Sequence, residues 1–440
     1  MAASAACAHP QSALKPRPQF AAIGHIVVIY LENRSFDNLY GQFPGADGLD
    51  GARARAAQQV DQAGNPFAVL PQADSTPFPR NLPNEPFDIT RYVPADRPTR
   101  DLVHRYYQER AQIDAGRMDR FALVSDAKGL VMGYYPTSRL PLAAEARRYT
   151  LCDHFFHAAF GGSFLNHMWL IAAATPTFPK APPEIRTVID SAGYLRLDGA
   201  VTQDGYVVNT AFSVNSPHPP GIPANQLVPA LQIATIGDRL SEAGVSWTWF
   251  AGGWNDAVTG HPHPTFQYHH QPFAYFAAYA DSSAARAQHL LDESVFLERA
   301  AHGTLPAVSF VKPLGVVNEH PGYSEIIQSE HHVIELIDAV RNGPNWKDAV
   351  VIVTYDENGG FWDHVPPPKG DRWGPGTRVP AIIISPFARK SFVDHTIYDT
   401  TSILALIEHR FGLRPLSSRD AQAADLSAAF DFVYASKTAR

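Results

Sequence analysis

Ala349-Val350-Val351-Ile352-Val353-Thr354-Tyr355 runs directly into Asp356-Glu357-Asn358-Gly359-Gly360. A short apolar, β-branched run closed by a turn reads as a strand buried on both faces of a parallel sheet. The pattern recurs along the chain. His25-Ile26-Val27-Val28-Ile29-Tyr30 leads into Leu31-Glu32-Asn33, and the apolar run at 307–311 leads into Lys312, Asn318 and His320. Residues 381–385 and 245–250 read as further strands. Residues 325–341 carry Ile326, Ile327, Val333, Ile334, Ile337 and Val340 on one face of a helix. Residues 231–240 and 99–121 also have helical spacing. Strands alternating with helices predict an α/β fold, a mainly parallel central sheet flanked by helices. In such sheets ligands sit beyond the carboxyl ends of the strands, and that is where the polar clusters fall.

Composition narrows the function. Of 440 residues, 45% are hydrophobic and 18% charged, enough apolar side chains for a full core, which excludes general disorder. A net charge of −7 argues against nucleic acid as a partner, because backbone binding needs basic patches. It leaves room for a small phosphorylated substrate. Cys7 and Cys152 are too few for a disulfide framework or a Cys-rich zinc site, and whether they pair is open. No apolar run approaches the ~18 residues of a membrane-spanning helix. The Met-Ala-Ala-Ser-Ala start reads equally as the stub left by a removed signal peptide or as an ordinary terminus. The first reading carries the expectation of a periplasmic or secreted protein.

Adjacent carboxylates such as Asp356 and Glu357 repel unless a cation joins them, and oxygen donors suit hard or borderline divalent metals. A solvated acidic turn is the alternative. Glu32 and Asn33 are further oxygen donors at a strand end. Ser35, Asp37 and Asn38 read as helix caps, which leaves Glu32 without such a role. In Phe160-Gly161-Gly162-Ser163-Phe164-Leu165-Asn166-His167, two glycines lead a serine into an apolar stretch. That suggests a helix N-terminus, where backbone N–H groups favour an anion. Asn166, one turn on, could donate to the same anion. Ser163 is a nucleophile or simply an N-cap, and Gly-x-Ser-x-Gly is absent. Among 19 histidines, His269-His270 and His320 have phosphate-orienting or proton-transfer roles open to them. His104 defaults to a structural role, and His289 to the surface.

Together these segments resemble the bacterial phosphoesterase family that contains acid phosphatases and phosphatidylcholine-type phospholipases C. The resemblance rests on 31–38, His104 through Met118-Asp119, 161–167, His269-His270-Gln271-Pro272-Phe273, Asn318-Glu319-His320-Pro321-Gly322 and 356–364, and spans about 25 to 412. It implies an alkaline-phosphatase-like fold and one divalent metal ion held by Glu32, Asn33, Ser163, Asp356 and Glu357. Asn166, His104, His269, His270 and His320 would face the phosphate. The double histidine followed by Gln-Pro-Phe is more similar to the acid phosphatase branch. The chain stops near 440, without the C-terminal β domains of the long phospholipases, which lowers the expectation of a lipid substrate.

The domain reading is one catalytic unit over 23–425, a flexible tail at 1–22, an insertion or cap at 176–235, and a C-terminal tail at 426–440. The expected reaction is hydrolysis of a small phosphate ester through a phosphoserine at Ser163, with His320, His269 or His270 protonating the leaving alcohol. Protonated histidines would favour acidic pH. The competing readings are a phospholipase C working at a phospholipid surface, a non-catalytic metal or phosphate binder, and a metal-independent serine esterase. Oligomeric state and metal identity are open.

Overall fold

The computed structural model describes residues 12–52, 58–73 and 77–433. Its core is an eight-stranded sheet. In chain order the strands are β1 (His25–Leu31), β2 (Thr150–Cys152), β3 (Trp247–Ala251), β4 (Leu290–Asp292), β5 (Val308–Lys312), β6 (Ala349–Tyr355), β7 (Ala381–Ile384) and β8 (Phe392–Asp394). Across the sheet the order is β8-β2-β7-β6-β1-β5-β3-β4. Only β7 opposes the rest, pairing antiparallel with β6 and β2. β6 is buried along its whole length and β1 from Ile26 on, so cover lies on both faces.

The helices used below are α1 (Phe36–Tyr40), α2 (Tyr106–Ile113), α3 (Ser163–Ala172), α4 (Glu293–His302), α5 (Ile326–Arg341) and α6 (Thr401–Phe411). α4 packs on α5, and α3 packs on α6. Every residue of α3 is buried, Ser163, Asn166 and His167 along with its apolar side chains. No helix among the described residues is long and apolar enough to cross a membrane.

Several expectations need correction. The helical spacing at 99–121 yields a helix only at Tyr106–Ile113. The preceding turn stays open because its backbone is held by other segments: the N–H of Val103 donates to Asp126 (2.9 Å) and that of Tyr106 to Asn209 (3.2 Å). His289 is buried rather than at the surface, stacked on Trp247 with ring centroids 4.2 Å apart. The stretches read as tails are packed where they are described. Phe20 is fully buried, edge-on to Phe430 and Phe432, and Arg17 pairs with Asp425 at 2.7 Å. Cys152 is buried in β2, and Cys7 lies outside the described residues. Within 176–235 a short ribbon pairs Val188–Ile189 with Leu195–Leu197. Asp198 beyond it forms an ion pair with Arg105.

Candidate active site

The sheet register assembles the site. Leu31 is level with Tyr355, so Glu32 and Asp356 leave neighbouring strands side by side. β5 lies on the other side of β1, with Ile29 level with Val311. Lys312 therefore ends beside Tyr30, and its ammonium donates to the Tyr30 carbonyl (3.0 Å) and to Glu32 Oε1. Asn33 sits in the left-handed region (φ 64°), an arrangement asparagine tolerates better than most residues. Its N–H donates to Asp356 Oδ1 (3.0 Å), and the N–H of Glu357 donates to the same oxygen (2.8 Å). Gly359 is required behind them: with φ 61°, a Cβ there would collide with the carbonyl oxygen of Asn33.

Ser163 opens α3 and its hydroxyl donates to Glu32 Oε2 (2.9 Å), with Asn33 Oδ1 at 3.5 Å. The turn before it is held from behind. Gly161 (φ 92°) lies so close to Tyr106 that a Cβ would stand 2.5 Å from that residue's backbone nitrogen. Its N–H donates to Glu109 Oε2 (2.5 Å), and the other oxygen of Glu109 receives His157 Nε2 (2.8 Å). Asn166 does not face an anion as expected. Its amide nitrogen donates to the carbonyls of Ala159 (2.9 Å) and Gly161 (3.1 Å), and its oxygen accepts from the Ala159 N–H (2.9 Å). It positions the loop that carries the serine.

Ser163, His104, His269, His270 and His320 line one cavity of about 450 Å³, with Arg105, Asn209, Gln267 and Tyr323 also in its wall. His104 Nε2 accepts from the Asn33 amide (3.1 Å). That bond turns the Asn33 oxygen toward Ser163. His270 Nε2 stands 3.2 Å from Glu32 Oε1. His320 lies against Tyr323, ring centroids 4.3 Å apart, and its Nδ1 donates to the Pro321 carbonyl (2.5 Å).

Two contributors carried no assigned role in the sequence reading. His167, one turn past Ser163, donates from Nδ1 to the serine carbonyl (2.7 Å) and stacks on His270 at 5.1 Å. The i, i+4 spacing from Ser163 was a usable signal. Lys312 gave a weaker one, a lysine closing an apolar strand.

Burial and neighbouring charge divide the carboxylates. Burial alone would raise Glu32, but the His270 ring beside it and the Lys312 ammonium hold it well below the usual carboxylate range. Asp356 is pushed well up by burial and by the Glu32 charge. Glu357 is pushed well up by burial and by Asp356. Burial pushes His269 well down, lowers His270, and takes His320 down to about 3. Burial thus opposes a charge on each of these imidazoles.

Asp356 Oδ2 and Glu357 Oε1 are buried without a hydrogen-bond partner. Carboxylate oxygens so placed, with an amide and a hydroxyl oxygen beside them, fit a hard divalent cation. Glu32, Asn33, Ser163, Asp356 and Glu357 are the residues that could hold it.

The phosphoesterase family profile matches residues 23–414. The chain belongs to that family, and it is a phosphoric ester hydrolase. It is 27% identical to phospholipase C B of Mycobacterium tuberculosis, over 93% of this chain and 78% of that protein. It is 26% identical to the non-hemolytic phospholipase C of Pseudomonas aeruginosa, over 93% of this chain and 57% of that protein. Among solved structures, a protein in the alkaline phosphatase superfamily from Vibrio parahaemolyticus overlaps 67% of this chain and 65% of its own. That overlap has 11% identity and a TM-score of 0.36, too slight to bear on function.

Proposed function

We propose that this protein hydrolyses soluble phosphate monoesters in the manner of an acid phosphatase, with Ser163 as nucleophile. The observation that carries the reading is the Ser163 hydroxyl donating to a Glu32 carboxylate at 2.9 Å, at the N-terminus of a buried helix. Glu32, kept ionised by the Lys312 ammonium beside the His270 ring, is the acceptor for the serine proton. The hydroxyl oxygen attacks phosphorus, the ester P–O bond breaks, and the serine carries the phosphoryl group. A divalent cation bound by Glu32, Asn33, Ser163, Asp356 and Glu357 would neutralise the carboxylates, lower the hydroxyl's pKa and polarise a phosphoryl oxygen.

The remaining roles follow from position. His104 orients the Asn33 amide. His269, His270 and His320 face the bound ester from the cavity wall, and the dianionic phosphate raises their proton affinity. One of them then donates a proton to the leaving alkoxide. Water attacks the phosphoserine in the second half-reaction and releases phosphate. N–H donors of the first turn of α3 add to the stabilisation of the developing charge, each such donor being worth about 3 kcal/mol.

The names of the relatives favour a second reading, a phospholipase C acting on lipid phosphodiesters. What supports the monoester reading against it is the cavity wall of Arg105, Asn209, Thr210 and Gln267, polar rather than apolar. Product analysis separates them. The protein is given a soluble phosphomonoester and phosphatidylcholine vesicles, with divalent cation and again with chelator. The proposal expects cation-dependent free phosphate from the monoester and little phosphocholine from the vesicles. Phosphocholine as the dominant product would overturn it in favour of the lipase. Turnover that survives chelation would remove the metal from the account.

A further inference from the structure

Arg34 directly follows the Glu32-Asn33 pair and is buried. Its guanidinium gives its hydrogen bonds to neutral oxygens. Nε (3.2 Å) and Nη2 (3.0 Å) both donate to the carbonyl of Glu319, and Nη1 donates to Asn38 Oδ1 (3.4 Å). The rings of Tyr135 and Phe361 flank it, with centroids 5.8 and 5.3 Å from the guanidinium carbon. Desolvating a cation is costly. What this one gains is direction: two N–H groups of a rigid fork on one carbonyl fix where that carbonyl points, which a flexible ammonium does less firmly.

The carbonyl so held belongs to a strained residue. Glu319 has φ 73°, a left-handed backbone that a glutamate keeps only where its surroundings impose it. The rest of the residue is held as well. Its N–H donates to Ser324 Oγ (3.1 Å) and Ser329 Oγ (3.2 Å), and its Oε1 accepts from the Tyr355 hydroxyl (2.9 Å). The clamped carbonyl is part of the peptide that leads into His320, so turning that peptide turns the imidazole in the cavity wall. Arg34 is tied to the carboxylates too. Its backbone N–H donates to the Glu357 carbonyl (3.0 Å), while the N–H of Glu32 donates to the Asn318 carbonyl (3.0 Å). One residue therefore joins the loop after β6 through its backbone and the loop after β5 through its side chain.

We propose that Arg34 is a positioning residue that sets the His320 imidazole against the carboxylates following β1 and β6. The inference rests on the reading above, in which His320 faces the bound ester.

The test uses the full chain with a divalent cation and para-nitrophenyl phosphate as substrate, in Arg34→Lys, His320→Ala and the two combined. Lysine keeps the charge and loses the fork. His320→Ala should lower kcat/KM by about 10²-fold. Arg34→Lys should lower it by about tenfold when His320 is present and by less than about twofold when it is alanine, because both changes act through one group. The same loss in both backgrounds would make Arg34 a general support of the fold and overturn the proposal, as would a wild-type rate in Arg34→Lys. A second readout is independent of activity. In protein carrying nitrogen-15-labelled histidine, the His320 Nδ1–H signal, identified by its loss in His320→Ala, reports the bond to the Pro321 carbonyl. Arg34→Lys should shift or broaden that signal; an unmoved signal overturns the proposal even if turnover falls. If His320→Ala turns over at the wild-type rate and the signal still moves in Arg34→Lys, the positioning stands and the role given to His320 falls. Arg34→Gln, which keeps an amide donor, takes the place of Arg34→Lys if the lysine variant does not fold.

Discussion

Ser163 and Lys312 act on Glu32 from opposite sides, one donating a hydroxyl and the other an ammonium. Removing each makes a different prediction. Ser163→Ala deletes one oxygen at a helix N-terminus and should lower monoester turnover by about 10³-fold or more with an unchanged melting temperature. Near-normal turnover would mean that water attacks phosphorus directly. Lys312→Met leaves a buried carboxylate without its cation. Urea unfolding of the chelated variant should show a loss of about 3 kcal/mol, partly recovered when a divalent cation is added. An unchanged midpoint would show that Glu32 does not depend on the lysine. Glu32, Asn33, Ser163, Asp356 and Glu357 were legible in the sequence because each follows an apolar run or a Gly-Gly pair. The direction of Asn166 was not, since spacing along a helix does not say which way an amide points. Lys312 was named at the end of its strand without a role, because spacing does not show that a strand's closing lysine turns inward.

Among the elements, the long strands were legible and the short ones were not. β1, β5, β6 and β7 are continuous apolar runs, whereas β2, β4 and β8 are three-residue pieces whose pairing depends on distant partners. The site inherits that division. Its carboxylates sit just past the ends of the long strands, while the loop between β2 and α3 is held by the buried Glu109, His157 and Asn166. Gly161 is where that support is tightest. Gly161→Ala adds a left-handed alanine and a clash with the Tyr106 backbone. It should destabilise the protein by at least about 2 kcal/mol and lower turnover as Ser163 shifts. A variant with wild-type stability and rate would show that the loop has room the geometry denies.

Over the whole molecule, acid groups buried away from the site set part of the pH dependence of stability. Glu408 on α6 is raised to about 10 by burial and by Asp420. In the unfolded chain a glutamate titrates near 4.3. A raised folded value means the proton is bound more tightly in the native state. The stability it contributes is therefore complete below about pH 4 and is lost as pH rises toward 10. Glu408→Gln mimics the protonated form and should be more stable than wild type at pH 8, by up to about 5 kcal/mol, with no difference at pH 4. Thermal melts at the two pH values check this; an equal offset at both would place the effect in packing. The same scale explains why the packing of Phe20 was not legible: its partners, Phe430 and Phe432, are separated from it by nearly the whole sequence.

The central claim is that Ser163 carries the phosphoryl group between the two half-reactions. The most direct measurement is acid quenching during turnover of a phosphomonoester, followed by mass analysis of the peptide that contains Ser163. The account predicts a phosphorylated peptide that forms within the first turnover, localises to Ser163 and is absent from Ser163→Ala. Steady turnover with no phosphorylated peptide at any quench time, or phosphate found on a histidine instead, would contradict it.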